Sequence, residues 1–322
     1  MSKVFSLLAI GALSLGLVAC SSGEQENPGN NTASCSAYTL EQLATDLSVC
    51  GELGKVSSVK FTAPLSTEVT KFDTLVKGSG ETLVEGDNMM VAYNIYNATT
   101  GKAIVNEEIA KQIPGEMVSL DFAVIFPGLA KALDGQTIGS RVAVLIPPVD
   151  AYGEQGMPSL EVAPTDNVLW VLDLISLVGD SANGTPQDVS DIFPKVSLAE
   201  SGQPTITIPD TAAPADLQLG VLKQGSGLVV ESGATVWIQY QGVNWRTGEV
   251  FDQSWGSKIA TFSLDRVVEG FSKAIEGQKV GSQVIVIVPP ALGYGPMGGQ
   301  PSAGIEADDT LVFVIDILAA RN

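Results

Sequence analysis

Residues 142–153 read VAVLIPPVDAYG, and residues 284–295 read VIVIVPPALGYG. Each stretch begins with a run of aliphatic, mostly β-branched residues, which is typical of a buried strand. A Pro-Pro pair ends the run, because proline lacks the N–H that a sheet ladder needs. A Tyr-Gly pair then follows after the same short spacing in both stretches. The recurrence predicts that the chain builds the same strand and turn twice.

The repeat extends on both sides of these stretches. Upstream, Val91-Ala92-Tyr93 matches Ile238-Gln239-Tyr240, and Thr100-Gly101 matches Thr247-Gly248 at the same separation. The matching residues are 147 positions apart (238 − 91). A repeat of about this length indicates tandem domains rather than a solenoid, whose units span ~20–50 residues. Residues 179–202 are rich in Gly, Ser and Pro and are predicted to be a linker. The two predicted domains are therefore 58–178 and 203–322.

Each copy has the pattern of several strands and one short helix. In the second copy, residues 235–240 alternate like a half-buried strand, and residues 267–275 carry apolar side chains at helical spacing. Residues 283–288 and 310–318 are apolar runs typical of central strands. This combination predicts an α+β class, with an antiparallel sheet wrapped over a short helix in each domain.

The composition excludes several classes of function. The chain has 322 residues, with 17 Lys+Arg against 36 Asp+Glu and no histidine, so its formal net charge is −19. Nucleic-acid binding needs clustered cations, so no nucleic-acid partner is expected. Ser-His-Asp triads and His-ligated metal sites cannot be built without histidine. No metal ion and no cofactor are predicted.

The N-terminus is predicted to be an export signal. Lys3 precedes an apolar stretch, residues 4–18, that is too short to span a ~30 Å hydrocarbon core comfortably. Leu17-Val18-Ala19-Cys20 then resembles a bacterial lipobox. Residues 1–19 are therefore predicted to be a lipoprotein signal peptide, with Cys20 lipidated and the protein anchored to the extracytoplasmic face of the bacterial cell envelope. An ordinary signal peptide with an incidental cysteine is the alternative.

Residues 20–57 are predicted to form a stalk that contains one short helix. Thr39-Leu40-Glu41-Gln42 reads as a capping box, and Leu40, Leu43, Ala44 and Leu47 would share one helical face. Cys35 and Cys50 flank this segment, and an oxidising compartment favours a disulfide between them. Two free thiols are the alternative.

A series of spaced motifs in the second copy resembles a known family. In order, they are Tyr240-Gln241-Gly242, Val250-Phe251-Asp252, Val267-Val268-Glu269-Gly270-Phe271, Val288-Pro289-Pro290, Tyr294-Gly295 and Asp309-Thr310-Leu311-Val312-Phe313. This set is similar to that of the FKBP-type peptidyl-prolyl cis-trans isomerases, and residues 58–178 resemble the same family more weakly. The resemblance implies two tandem FKBP-like domains and an apolar pocket that lets a proline amide rotate, without a covalent intermediate.

The resemblance also implies the residues of the pocket. The catalytic residues would be Tyr240, Phe251, Asp252 and Tyr294, and the substrate-binding residues would be Val267, Val268, Phe271, Ile305 and Phe313. Phe271 stands where the family usually has Trp, and Ala260 stands where it commonly has a third Phe. Taken singly, each aromatic residue could equally be a core residue, and Asp252 could be a solvated turn residue.

The first copy departs from the pattern at its most important positions. Ile104-Val105 stand at the Phe-Asp positions, Leu129 at the pocket floor, and Trp170 where the second copy has Phe313. Tyr93, Ile125, Phe126, Tyr152 and Val162 keep the apolar character. Residues 58–178 are therefore predicted to be a degenerate FKBP-like domain of low activity.

Three functional hypotheses remain. The first is an envelope-anchored isomerase that assists the folding of exported proteins, with proline-containing polypeptide segments as its partners and catalysis mainly in residues 203–322. The second is a non-catalytic module that binds such segments or acts as a chaperone on the cell surface. The third is a structural spacer or adhesin, which offers no reason for the Pro-Pro and Tyr-Gly junctions.

Overall fold

The computed structural model describes residues 35–40, 43, 45–54, 58–105, 116–119 and 125–322. The predicted signal peptide, Cys20 and the first part of the stalk lie outside these residues. In chain order the strands are Cys35–Leu40 (β1), Thr45–Cys50 (β2), Ser58–Lys60 (β3), Lys71–Val76 (β4), Asn88–Asn97 (β5), Ala103–Val105 (β6), Glu116–Ser119 (β7), Arg141–Ile146 (β8), Val168–Val178 (β9), Thr185–Pro186 (β10), Lys195–Leu198 (β11), Pro204–Thr207 (β12), Gln218–Gln224 (β13), Thr235–Asn244 (β14), Val250–Gln253 (β15), Ala260–Ser263 (β16), Gln283–Val288 (β17) and Leu311–Arg321 (β18).

Helices are few and short in the described ranges. The two α-helices there are Pro127–Leu133 (α1) and Glu269–Ile275 (α2), and several single 3-10 turns connect the strands. None of the helices in this part of the chain has the length and apolar character needed to cross a bilayer.

Two large antiparallel sheets have the same strand order. The first sheet runs β4-β8-β9-β5-β6, with β7 also paired to β5. The second sheet runs β13-β17-β18-β14-β15, with β16 also paired to β14 and the short β10 added beside β13. Even the irregularities match, because a bulge interrupts the central strand pair between Met90 and Val91 and again between Trp237 and Ile238. We refer to these sheets, each with its helix and loops, as the first and second units.

One helix packs on the concave face of each sheet. In α2, Phe271, Ala274 and Ile275 are buried against the sheet together with Val286 and Val288. Gly270 permits this close packing, because a Cβ built on it would lie 2.4 Å from Cγ1 of Val288. Gly128 has the same role in α1, where a Cβ would lie 2.3 Å from Cγ2 of Ile146. The sequence therefore has a residue without a side chain at both points of closest approach.

The predicted helix between Cys35 and Cys50 is wrong. Strands β1 and β2 form an antiparallel hairpin in which Cys35 lies opposite Cys50, and a disulfide joins the two residues. Leu47 and Val49 alternate toward the outer face of the first sheet, where they pack with Leu145 and other aliphatic residues. A strand periodicity places both side chains on that apolar surface, and this tertiary contact outweighs the local helical pattern.

The predicted linker at residues 179–202 contains strands that belong to the second unit. β10 pairs with β13, and β11 forms a hairpin with β12. Phe193, Val196 and Ile206 lie on the outer face of the second sheet with Ile285 and Ile287. The Gly and Pro content marks the turns of this segment, while its few apolar residues bury an otherwise bare sheet surface.

Candidate functional site

The residues predicted to form the pocket come together on the concave face of the second sheet. One apolar cluster contains Tyr240, Phe271, Ile305 and Phe313 as buried members. The remaining apolar residues of the predicted set are half-buried against it: Phe251, Val267, Val268 and Tyr294. Asp252 contacts the same cluster through a hydrogen bond to Tyr240. All nine residues thus belong to or border one apolar cluster between α2, β14, β15 and the loops around β18, and we call this cluster the second hollow.

The aromatic rings of the hollow form a connected chain of edge-to-face contacts. The centroid of Phe313 lies 5.5 Å from that of Phe251 and 5.1 Å from that of Phe271. Phe271 in turn lies 5.9 Å from Tyr240, again with nearly perpendicular planes. This geometry is the one that aromatic quadrupoles prefer. The rings hold one another in place, so the apolar floor is formed before any ligand enters.

Gly242 makes room for these rings, although no role was predicted for it. A Cβ built on Gly242 would lie 2.5 Å from Cζ of Phe251 and 3.0 Å from Cε1 of Phe313. The register pairs Gly242 with Asp252 on one side and with Phe313 on the other. The missing side chain at this one position therefore allows the ring of Phe251 to approach the backbone of β14 closely.

Tyr240 and Asp252 form the main polar contact of the hollow. The Tyr240 hydroxyl donates a hydrogen bond of 2.5 Å to Oδ2 of Asp252. Burial raises the pKa of Tyr240 well above its usual value, and the hydrogen bond to Asp252 raises it further. The phenol therefore remains a protonated donor at any physiological pH. Asp252 is itself exposed, but this bond ties its carboxylate to the buried part of the site.

Tyr294 presents a second phenol at the edge of the hollow. Its backbone carbonyl accepts hydrogen bonds from the amides of Met297 and Gly299, which fixes the turn that follows β17. Its hydroxyl has no hydrogen-bond partner among the described residues. Burial raises the pKa of Tyr294, and the negative charge of Asp252 adds to this effect. The site thus holds a neutral donor that is available to an incoming acceptor.

Phe262 also belongs to this cluster, although the resemblance implied no role for it. The family's third Phe was expected at the position of Ala260. Phe262 stands two residues later on β16, and its ring centroid lies 5.8 Å from Tyr240 and 6.1 Å from Phe271. Because side chains two residues apart in a strand share a face, the alternation of Ala260 and Phe262 was the available signal.

A polar network fixes the two loops that flank the hollow. The Asp309 carboxylate accepts hydrogen bonds from Asn244 at 2.7 Å, from Nε of Arg246 at 2.7 Å and from the amide of Glu306 at 2.7 Å. The hydrogen bond from Arg246 is the main cause that lowers the pKa of Asp309 to about 2. The network joins the turn after β14 to the loop that carries Ile305. The same Asn-Asp pair recurs in the first unit, where Asn97 donates to Asp166 at 2.8 Å.

The first unit has an equivalent hollow with different chemistry. Its ring chain consists of Tyr93, Trp170, Phe126 and Tyr152, with centroid distances of 5.3, 6.2 and 4.9 Å between successive rings. The register places Val105 opposite Ile95, as Asp252 lies opposite Gly242. The hollow therefore has no carboxylate at this position. Nε1 of Trp170 is buried and has no hydrogen-bond partner among the residues that the structure describes.

The chemistry available to the second hollow follows from these contacts. It offers an apolar floor that excludes water and two neutral phenols that donate hydrogen bonds. Within the described ranges, no group of three His, Cys, Asp or Glu residues could hold a metal ion. The arrangement suits a ligand with a compact apolar ring beside a carbonyl acceptor.

Comparisons with known proteins identify a family of related sequences. Residues 228–318 match the model of the FKBP-type peptidyl-prolyl cis-trans isomerases. A probable FK506-binding protein of Corynebacterium glutamicum is 38% identical over 120 residues, a match that covers 37% of this chain and 98% of that protein. An FK506-binding protein of Streptomyces anulatus is 35% identical over 120 residues, covering 36% of this chain and 96% of that protein.

Among solved structures, the three FKBP domains of wheat FKBP73 match with a TM-score of 0.34 and 20% identity, covering 78% of this chain and 94% of that one. The sequence matches carry the assignment, because the chain covers nearly the whole length of two bacterial relatives. With antiparallel sheets, few helices and this aromatic hollow, the chain belongs to the family of FKBP-type peptidyl-prolyl cis-trans isomerases.

Proposed function

We propose that the second unit, within residues 203–322, is the catalytic domain and that the first unit is a degenerate FKBP-like domain. The observation that carries the proposal is the joint presence of Tyr240, Asp252 and Tyr294 at the edge of one aromatic hollow. The first unit has four aromatic rings of its own but has Val105 at the position of Asp252. Turnover therefore belongs mainly to the second hollow.

The catalytic effect follows from the electronic structure of the amide. Resonance gives the C–N bond partial double-bond character, and the barrier to rotation is ~18–20 kcal/mol. Water stabilises the charge-separated planar form, so transfer of the proline ring and its amide into an apolar hollow weakens that preference. Catalysis then requires groups that bind the twisted amide better than either planar state.

The described residues supply such groups. Phe271 and Phe313 form the floor against which the proline ring packs. The Tyr294 hydroxyl donates a hydrogen bond to a peptide carbonyl of the substrate and so holds the chain while the amide turns. Asp252 fixes Tyr240 and faces the carbonyl side of the rotating bond with its negative charge. None of these steps forms a covalent bond.

The biological setting proposed for this activity is the folding of exported proteins. Support comes from the lipobox at Leu17-Val18-Ala19-Cys20 and from the disulfide between Cys35 and Cys50, since disulfides persist in oxidising compartments. We place the protein at the bacterial cell envelope, anchored through lipid on Cys20, with proline-containing segments of exported proteins as its partners.

A second role is favoured by the first hollow. Its four rings and its missing carboxylate suit the binding of apolar or proline-containing segments without turnover. The whole protein would then combine an isomerase with a holding site, as a chaperone does.

A protease-coupled assay with a short Xaa-Pro peptide tests the catalytic assignment on the full chain. Tyr294→Phe removes one hydrogen bond of ~1 kcal/mol, so kcat/KM should fall about fivefold. Asp252→Val, which copies the first unit, should lower it as well. Tyr152→Phe changes the equivalent tyrosine of the first unit, and the assignment requires less than a twofold effect. An equal loss at Tyr152 and Tyr294 would contradict catalysis by the second unit alone.

A further inference from the structure

The two units contact each other through the same part of each sheet. One buried apolar cluster contains Met90 and Val178 from the first unit and Trp237, Leu318 and Ala319 from the second. Met90 and Trp237 are each the third residue of equivalent strands, β5 and β14, directly before the shared bulge. Trp237 is only 4% exposed, although it points away from the core of its own unit. The contact is therefore quasi-symmetric and closely packed.

The loops at these strand ends also meet the segment that connects the units. A small cavity of about 170 Å³ is lined by Gly179 and Asn183 of the connection, Leu177 of the first unit, and Gly227 and Gly281 of the second. Beside it, the amide of Ala182 donates to Asp316 at 2.7 Å and the amide of Gly184 donates to the carbonyl of Gly281 at 2.9 Å. The connection is thus hydrogen-bonded to the second unit, and the units are joined end to end.

Each hollow extends toward the end of its central strand that is farther from the contact between the units. Phe313 pairs with Gly242, which is five residues beyond Trp237 along β14. Trp170 pairs with Ile95, which is five residues beyond Met90 along β5. At ~3.3 Å per residue the far walls, at Phe313 and Trp170, are ~17 Å along their strands from the junction, whereas Phe262 pairs with Val236 beside it. Along the strands the two far walls are therefore at most ~33 Å apart.

The first hollow has features of a binding site for polypeptide. The buried indole N–H of Trp170 lacks an acceptor within the described part of the chain, and a backbone carbonyl of a ligand would supply one. Its rim carries Val149, which is 76% exposed, together with the exposed Met157 and Leu160. In the second unit the bridge equivalent to Met157–Val162 is formed by Gln300–Ile305, so this part of the rim is polar there. The corresponding loop of the second unit exposes one large apolar side chain, Met297, so the first rim has the greater number of exposed apolar side chains.

We infer that the two hollows bind two segments of one unfolded polypeptide at the same time, with the first hollow holding an apolar or proline-containing segment while the second isomerises another. This inference rests on the proposed function of the second hollow. A straight path of ~33 Å needs at least ~10 extended residues between the segments. A flexible spacer of ~35 residues has a root-mean-square length near this span and gives the highest effective concentration.

The test uses the full chain and synthetic polypeptides that carry one or two Leu-Pro-Phe segments. The two-segment ligands differ only in a Gly-Ser spacer of about 4, 15 or 35 residues, chosen from the reach of an extended chain. Their dissociation constants are measured by fluorescence anisotropy, and turnover of the one-segment peptide is measured in parallel. The 35-residue spacer should improve affinity at least tenfold over the one-segment peptide, and the shortest spacer by no more than the statistical twofold.

The outcomes separate the two proposals. Equal affinity at all spacer lengths, with normal turnover of the one-segment peptide, overturns simultaneous binding and leaves the catalytic assignment intact. Failure to bind or turn over the one-segment peptide overturns both. Trp170→Ala should reduce the gain from the long spacer to less than threefold. Because this variant could lose structure, the spacer series on the unchanged chain remains the deciding measurement.

Discussion

At the scale of single residues, the two hollows differ at one pair of neighbouring positions. Gly242 leaves space for Phe251 against β14, whereas Ile95 stands at the equivalent position and is buried in the core of the first unit. Ile104 occurs where the second unit has Phe251. The side chain of Ile95 thus fills the volume that a ring occupies in the second unit. The change from Phe251 to Ile104 and the change from Gly242 to Ile95 therefore compensate each other in volume.

This relation predicts the effect of Gly242→Ala. The new Cβ would displace Phe251 and Phe313, since it would lie 2.5 and 3.0 Å from their rings. We expect a lower free energy of unfolding by ~1–3 kcal/mol, as for other overpacked cores, and a reduced kcat/KM because the floor is displaced. Chemical denaturation and the peptide assay measure the two effects.

Gly293→Ala is the matched control. A Cβ at Gly293 would have only ordinary contacts, the nearest at 3.5 Å. Its backbone angles, φ −111° and ψ −128°, resemble those of Ala151 at the equivalent position, φ −129° and ψ −110°. This variant should therefore keep its stability. If both glycine variants behave alike, crowding of the rings is not the cause.

The resemblance to the family implied most of the residues that meet in the second hollow. Tyr240, Asp252 and Tyr294 were inferred because each stands at a position of a family motif, and their place in the catalytic site stays a prediction. Gly242 was quoted within a motif yet given no role, because an absent side chain has no chemistry to point to. Phe262 was not predicted, because the family's third Phe corresponds to Ala260, two residues earlier on the same strand. Packing partners across a sheet are not visible in one sequence.

At the scale of elements, Asp309 connects two loops that border the hollow. Its carboxylate accepts hydrogen bonds from the turn after β14 and from the loop before β18. Its folded pKa of about 2 lies below the ordinary value of 3.8. A depressed carboxyl pKa contributes stability that is complete above the ordinary pKa and disappears as the pH falls toward the folded pKa.

Asp309→Asn should therefore lower the stability at pH 7 and flatten its pH dependence between about pH 4 and pH 2. We expect a loss on the order of 1–2 kcal/mol, because solvent around the half-exposed Arg246 weakens the ion pair. Urea titrations of both proteins across this pH range measure the free energy of unfolding and its pH dependence. Glu306→Gln is the control, since Glu306 pairs with the same arginine at the surface and should change stability by less than ~0.5 kcal/mol.

The N-terminal hairpin is a second element whose contribution is testable. The disulfide closes a loop with a sequence separation of 15 and should stabilise the hairpin by ~3 kcal/mol. Replacing Cys35 and Cys50 by Ser should release β1 and β2 from the first sheet. Hydrogen exchange of the Val59 amide, which donates to the Tyr96 hydroxyl, should become faster. Ser36→Ala, at an exposed site in the same strand, should leave this exchange rate unchanged.

The hairpin also shows why local patterns can mislead. Leu43 and Leu47 are four residues apart, which fits a helix, but Leu47 and Val49 are two apart, which fits a strand. The apolar outer face formed by Ala143, Leu145 and their neighbours decides between the two. That surface is assembled from distant parts of the sequence, so a window of some ten residues does not contain the deciding information.

At the scale of the whole molecule, the junction between the units is a structural element in its own right. Trp237→Ala should create a cavity within the shared cluster and cost up to ~3–5 kcal/mol. Differential scanning calorimetry should then show lower melting temperatures for both units. Trp245→Ala is the control, because Trp245 packs only against residues of the second unit and should lower the melting temperature of that unit alone. A Trp237 variant that affects one unit only would contradict the shared cluster.

Much of this organisation was contained in the repeat. The matching stretches at 142–153 and 284–295 predicted two similar sheets, and their strand orders agree. The junction was not predictable, because Met90 and Trp237 differ in identity and give no sign that they meet. Composition was misleading at 179–202, where turns rich in Gly and Pro connect β10, which extends the second sheet, to β11, which forms a separate hairpin with β12.

The strands before the second sheet determine where the protein could be cut. A fragment that began at residue 228, where the family match begins, would lack β10 to β13. It would leave β17 as an open edge and uncover Ile285, Ile287, Val312 and Val314 on the outer face. Unpaired edges and bare aliphatic surfaces promote self-association. A soluble C-terminal half therefore has to begin near residue 181, well upstream of the residues that make it recognisable.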